Sequence, residues 1–200
     1  DLWMRIISGK FRTRLIKTPC NNSIRPTSDR AREMIFNTLN SLLIKDKKKI
    51  LVAGNGGSCA DAEHFVGELQ CTFKDMSRKP ISAFALGNLA PALTAWSNDF
   101  EFLTFYKRQV QAHGVDGDIL FLITSGGGEK KSGASMSLVE AAKEAKKKGM
   151  KVISLVGKTG GILNDISDIS ILVESNVTSL IQEAHMSIPV SYTHLTLPTN

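Results

Sequence analysis

The residues most capable of chemistry sit in three clusters of this 200-residue chain. The first is Gly54-Asn55-Gly56-Gly57-Ser58, directly after a short apolar run, followed by His64 and Glu68 at i and i+4. Glycines let a backbone approach an anion, and the free N–H groups of a helix start favour negative charge. Ser58 is placed to cap the helix and to offer a hydroxyl. A carboxylate such as Glu68, beside a bound carbonyl compound, takes a proton from the adjacent carbon and gives an enediol. The His64–Glu68 pair is equally able to hold zinc with further ligands from elsewhere, or to be an ordinary exposed helical pair. The second cluster is Thr124-Ser125-Gly126-Gly127-Gly128 with Ser132-Gly133-Ala134-Ser135. Hydroxyls, backbone N–H groups and a helix start suit a phosphate monoester without a metal. The third is Gln182, Glu183 and His185, polar groups on a partly apolar segment that also read as plain surface polarity. No Gly-Lys-Ser/Thr follows the first loop and no GxGxxG is present, so a nucleotide cofactor is not expected.

The elements that carry these clusters alternate. Ile50–Gly54 reads as a buried strand, and Ser58–Cys71 as a helix through Ala62, Phe65, Val66 and Leu69. Ile81–Leu86 is a second strand. Helical stretches follow near Pro91–Trp96 and over Phe100–Ala112. Asp118–Ile123, Lys151–Val156 and Ile169–Val173 are three further strands. Ser135–Lys148 is a helix with lysines in its last turn and Gly149 beyond, a stop signal. A last helix opens at Thr178. Strands alternating with helices predict an α/β fold: a doubly wound, five-stranded parallel sheet flanked by helices, of the flavodoxin-like kind. In such sheets ligands bind at the carboxyl ends of strands, where both loops fall.

Charge is uneven. The net charge of +6 is concentrated in residues 1–50, with 12 Lys+Arg against 4 Asp+Glu; the remainder carries 13 against 15. A basic leading segment weakly suggests nucleic acid, or a solvated arm. Three cysteines without a CxxC pair argue against a disulfide framework or thiolate zinc, and point to a cytoplasmic setting. No secretory leader and no apolar run of membrane-spanning length is expected.

These residues together carry a resemblance. Gly54–Ser58 with Asp61, His64 and Glu68, then Asn98-Asp99-Phe100, the Ser/Thr-Gly loop, Val156-Gly157-Lys158-Thr159-Gly160-Gly161 and Ile181-Gln182-Glu183-Ala184-His185 stand in the order of the SIS-domain sedoheptulose 7-phosphate (phosphoheptose) isomerases. The resemblance covers about residues 49–188. It implies an aldose–ketose isomerase that makes a heptose 7-phosphate through an enediol, acts in heptose and surface lipopolysaccharide synthesis, and assembles as a homotetramer. By that resemblance Glu68 is the base, with His64 catalytic beside it. Asn55, Gly56, Ser58, Asp99 and Gln182 contact the sugar; Thr124, Ser125, Ser132 and Ser135 hold phosphate. His64, Glu68 and Gln182 are the ligands where zinc is bound. The serine loop is longer than the family's form, which leaves Ser125 and Ser132 both eligible for its key serine. The family's second histidine, two turns beyond the glutamine, falls here on Val190.

Both ends read differently. Residues 1–46 form a separate basic segment: Met4–Arg12 and Ile24–Glu33 resemble the lead-in of small-subunit rRNA guanine-N2 methyltransferases, without that family's cofactor loop. Met34, Ile35, Leu39 and Leu42 also make a generic apolar stripe. Residues 47–188 are expected to form the SIS domain. Residues 189–200 read as a foreign tail, with Pro189 expected to interrupt the last helix. A chimeric or truncated chain accommodates both ends. The alternatives to an isomerase are a non-catalytic SIS module that binds a phosphosugar or a partner, and a methyltransferase fragment.

Overall fold

The computed structural model describes residues 3–5, 15–17, 48–71 and 79–195, with side chains to residue 190 in the last stretch. The N-terminal strands β1 (Trp3–Arg5) and β2 (Leu15–Lys17) pair antiparallel. The main sheet consists of β3 (Ile50–Gly54), β4 (Ala83–Ala85), β5 (Ile119–Thr124), β6 (Lys151–Gly157) and β7 (Ile169–Val173), all parallel, in the order β4-β3-β5-β6-β7. The five-stranded, doubly wound architecture expected from the sequence is therefore present.

Alternation along the strands sorts the core into two layers. Ile50 and Val52 of β3 join Phe65 and Leu69 of α1 (Gly57–Cys71), Phe121 of β5 and Ile171 of β7 on one face. Leu51 and Ala53 point to the other face, against Tyr106 and Val110 of α3 (Phe105–His113) and Leu138 and Ala142 of α4 (Met136–Lys147). The central strands β3 and β5 are buried at every residue, which is why they read as unbroken apolar runs. α4 ends with Lys146 and Lys147 in its last turn and Gly149 at φ +73° just beyond, as its sequence signals predict.

Three boundaries differ from expectation. The stretch Phe100–Ala112 is not one helix: α2 (Ala90–Asp99) ends at Phe100, a 3-10 turn spans Phe102–Thr104, and α3 begins at Phe105. Trp96 Nε1 donates to Thr104 Oγ1 at 3.0 Å and holds this reversal. The edge strand β4 is shorter than Ile81–Leu86, because the chain turns at Gly87 with φ +96°. The last helix, α6 (Thr178–Leu195), continues through Pro189. The expectation that Pro189 interrupts it is corrected. Proline's fixed φ is itself helical and its missing N–H removes one backbone bond, while Ile181 and Ile188, both ahead of it on the same helix, are packed into the core. A short helix α5 (Gly161–Ile166) lies between β6 and β7. No helix of the described residues is long and apolar enough to cross a membrane. Apart from residues 3–5 and 15–17, the readings of segment 1–46 fall outside the described residues, as does the end of the tail.

Candidate active site

The chain runs from β3 to β4 on one side and then to β5 on the other, so β3 and β5 flank the switch point of the sheet. Both Gly-rich loops leave the carboxyl ends of these two strands, where open α/β sheets place ligands. Gly54 pairs with Ile123, and Thr124 lies one residue further along β5. The loops then touch: Asn55 Nδ2 donates to Ser137 Oγ in the first turn of α4, at 3.4 Å. Asn55 Oδ1 is buried with no partner among the described residues. Buried amide oxygens are normally paired, so this acceptor is available to a ligand hydroxyl.

In the first loop Gly56 takes φ +57°, a conformation costly for other residues, and an added Cβ there would meet open space. α1 starts at Gly57, so Ser58 is buried inside the first turn and does not cap it, contrary to the sequence reading. Further along α1, His64 Nε2 and Glu68 Oε1 are 3.0 Å apart; the Glu68 side chain is 10 % exposed and His64 half exposed. Gln182 of α6 lies against the start of the same helix, where a Cβ on Gly57 would stand 2.6 Å from its Nε2. Asp61, one turn before His64, has a buried Oδ2 without a partner among the described residues. Burial raises its carboxyl above the ordinary range, and His64 partly offsets this.

The second loop gathers around Thr124, which is 3 % exposed. Its Oγ1 is 2.8 Å from Ser135 Oγ and accepts from the N–H groups of Gly126 and Gly127 at 3.3 Å. Ser135 holds φ +57°, a strained conformation for a serine, at the entrance to α4. Ser125 is half-buried at the start of this loop. Ser132 does not join the group. It is exposed on a turn closed by Gly133 N to Glu129 O and by Glu129 N to Ala134 O, and its hydroxyl donates to Glu129 Oε2 at 2.6 Å. Of the expected phosphate contacts, Thr124 and Ser135 come together, Ser125 adjoins them and Ser132 faces elsewhere. Asp99 ends α2, exposed, and accepts from its neighbour Asn98 at 2.8 Å, which ties it to its own helix end.

One residue went unread in the sequence and one was placed wrongly. Ser137 is 3 % exposed and links the loops through Asn55; its spacing two residues after Ser135 was the available signal. His185 was visible as a polar residue, but it is fully buried rather than on the surface.

Zinc finds an incomplete donor set. Among the described residues no three His, Cys, Asp or Glu side chains converge. Of the expected ligands His64 and Glu68 meet at 3.0 Å, while Gln182 would offer an amide alone, whereas zinc sites use three or four histidine, thiolate or carboxylate ligands. Among the described residues this donor set does not fit zinc.

Comparison with known proteins agrees with this geometry. The SIS domain family matches residues 29–157, which takes in part of the segment that the sequence reading set apart as 1–46. The phosphoheptose isomerase of Campylobacter concisus is 41% identical over 154 residues, covering 77% of this chain and 75% of the relative. That of Nitratiruptor is 43% identical over 145 residues, 72% of this chain and 74% of the relative. Among solved structures, a phosphoheptose isomerase from Francisella tularensis superposes with a TM-score of 0.76 at 32% identity, covering 86% of this chain and 85% of its own. One from Neisseria gonorrhoeae gives 0.72 at 33%, covering 82% and 84%. With a shared parallel sheet, shared loop order and identities of this size over most of both chains, the protein belongs to the phosphoheptose isomerase family of SIS-domain proteins.

Proposed function

We propose that the protein interconverts sedoheptulose 7-phosphate and a heptose 7-phosphate. The observation that carries this reading is the junction at Asn55: one amide nitrogen bonds the serine loop while the amide oxygen stays buried and unpartnered. A ligand with phosphate at one end and hydroxyls along its chain satisfies both loops at once. Thr124, Ser125 and Ser135 at the start of α4 hold the phosphate, and Asn55, Gly56 and Gln182 orient the carbon chain. Glu68 removes the proton from C1 of the open-chain ketose, the C1–C2 enediol forms, and the proton returns to C2 as the aldehyde forms at C1. His64, 3.0 Å from Glu68, moves the hydroxyl proton between O1 and O2. Ser58 and Asp99 stay in the proposed contact set on the strength of the family motifs.

Homo-oligomerisation, to a tetramer, goes with this reading. Its support is that α2 buries none of its residues and that Leu89, Phe100, Phe102 and Leu103 around it are exposed. A place in heptose and lipopolysaccharide synthesis in the cytoplasm is part of the same proposal. Glu68→Gln tests the chemistry: turnover falls about 10²–10⁴-fold while sugar phosphate still binds. Undiminished turnover in this variant removes Glu68 as the base. One observation favours a second reading, a phosphosugar-binding module without turnover: Val190 on α6 offers no acid or base two turns beyond Gln182. Tight binding with no isomerisation in the unaltered chain selects it.

A further inference from the structure

Tyr106 is 3 % exposed and lies on α3, a helix that contributes no residue to the site described above. Its hydroxyl donates to the Gly54 carbonyl at 2.6 Å. Strand pairing explains why that carbonyl is free to accept. Val52 O receives the N–H of Leu86 at 2.8 Å. Two residues on, Gly54 O faces the same neighbour, and only a longer β4 supplies it with another N–H. β4 ends at Ala85 and the chain turns away at Gly87, so the phenol takes the place of the missing strand. Gly87 leaves the room: a Cβ there would stand 3.0 Å from the Tyr106 ring. One turn later on α3, Gln109 Oε1 accepts from Gly87 N–H at 3.1 Å, so a single helix face ties down the loops after both β3 and β4. Burial raises the phenol pKa, so the hydroxyl remains a donor across the neutral range.

Gly54 is the last residue before Asn55, and its peptide sets the direction in which the turn leaves the sheet. We propose that Tyr106 is a positioning residue for isomerisation: its bond to Gly54 fixes the peptide that aims Asn55 and the Gly56–Ser58 backbone at the sugar. This rests on the isomerase reading for its substrate, and on the hydrogen bond alone for its structural half.

The test is Tyr106→Phe, which keeps the ring against Phe102 and Phe105. Loss of a partner for a buried carbonyl corresponds to about tenfold or more in an equilibrium. KM for sedoheptulose 7-phosphate is expected to rise about tenfold with kcat within about twofold, because uniform binding is lost and Glu68 is untouched. In an Asn55→Ala background the same change should raise KM less than about twofold, since the two residues act in series. Ile171→Val, a core change in β7, leaves KM unaltered and controls for general loosening. Amide exchange at Gly56–Ser58 should quicken in Tyr106→Phe while β6 amides keep their rates. The proposal is overturned by an unchanged KM, by an equal KM effect in both backgrounds, or by unchanged exchange in the turn. Absence of turnover in the unaltered chain counts against the isomerase reading alone, and the exchange measurement then decides the role of Tyr106.

Discussion

His185 gives the protein an acid-sensitive limb whose size follows from its burial. Its side chain is fully buried on α6, and neither ring nitrogen has a well-aligned hydrogen-bond partner among the described residues. Burial, only partly offset by the Val156 backbone, lowers its pKa from 6.5 to about 4. The unfolded chain therefore binds a proton between these two values that the folded chain refuses, and stability rises with pH across that window. At about 1.4 kcal/mol per tenfold in proton affinity, the drop from 6.5 to about 4 amounts to about 3 kcal/mol over the whole window. About 2 kcal/mol of this is lost on going from pH 7.5 to pH 5. Asp61 acts in the opposite sense: its raised carboxyl pKa favours the protonated fold, a contribution lost as pH rises through the folded value. Comparing two chains that both keep Asp61 cancels it. His185→Leu removes the imidazole at similar volume and leaves no polar atom to strand. Urea unfolding of both proteins at pH 7.5, 6.5, 5.5 and 5.0, with matched slopes, reads the difference. The stability gap in favour of His185→Leu should widen by about 2 kcal/mol from the first pH to the last. Parallel pH curves would refute the argument, because a histidine that titrates alike in both states has no such limb.

Two further substitutions probe the site and its support separately. Gly57→Ala places a methyl 2.6 Å from Gln182 Nε2, and the flexible amide is the part that gives way. KM for the sugar phosphate should rise while melting temperature holds or increases, since alanine favours a helix over glycine by about 1 kcal/mol; an unchanged KM places Gln182 outside the sugar site. Phe65→Ala empties a core position 2 % exposed beside Phe121, whose ring centroid is 5.2 Å away. Urea unfolding should report a loss of about 3–5 kcal/mol, and a loss below about 1 kcal/mol contradicts the packing described.

The architecture was legible wherever burial is complete. Ile50–Gly54 and Ile119–Thr124 read as strands because parallel strands covered on both faces need no polar alternation. Legibility fell where tertiary contacts decide. Nothing local to Phe100–Ala112 announces the 3-10 turn, which depends on Trp96 reaching Thr104 eight residues on. The site was half readable. Loop chemistry singled out Thr124, Ser125, Ser132 and Ser135 alike, and only the fold reveals the turn that commits the Ser132 hydroxyl to Glu129. Tyr106 occupies an ordinary apolar position of an amphipathic helix, and its bond to a carbonyl 52 residues away has no sequence signature.

The loop after β6 shows what a motif contributes through its backbone. Val156–Gly161 holds no carboxylate, and its two polar side chains, Lys158 and Thr159, are exposed, yet its glycines back the serine loop from behind. Leu163 N–H bonds Gly127 O at 2.8 Å, and Ile162 N–H bonds Gly128 O at 3.1 Å. The approach is so close that a Cβ on Gly127 would run into the Gly160 carbonyl, so this contact between two backbones excludes every side chain. With their carbonyls turned back toward α5, Gly127 and Gly128 present the loop's other edge forward, where Gly126 and Gly127 N–H groups converge on Thr124 Oγ1. A cradle of N–H groups and hydroxyls binds an anion well only if its dipoles are already oriented, since reorienting them on binding spends the affinity they supply. The buttress from β6 provides that orientation, and Tyr106 does the same for the neighbouring turn. Both loops of the candidate site are therefore held from outside it, by groups that are not among the proposed sugar or phosphate contacts.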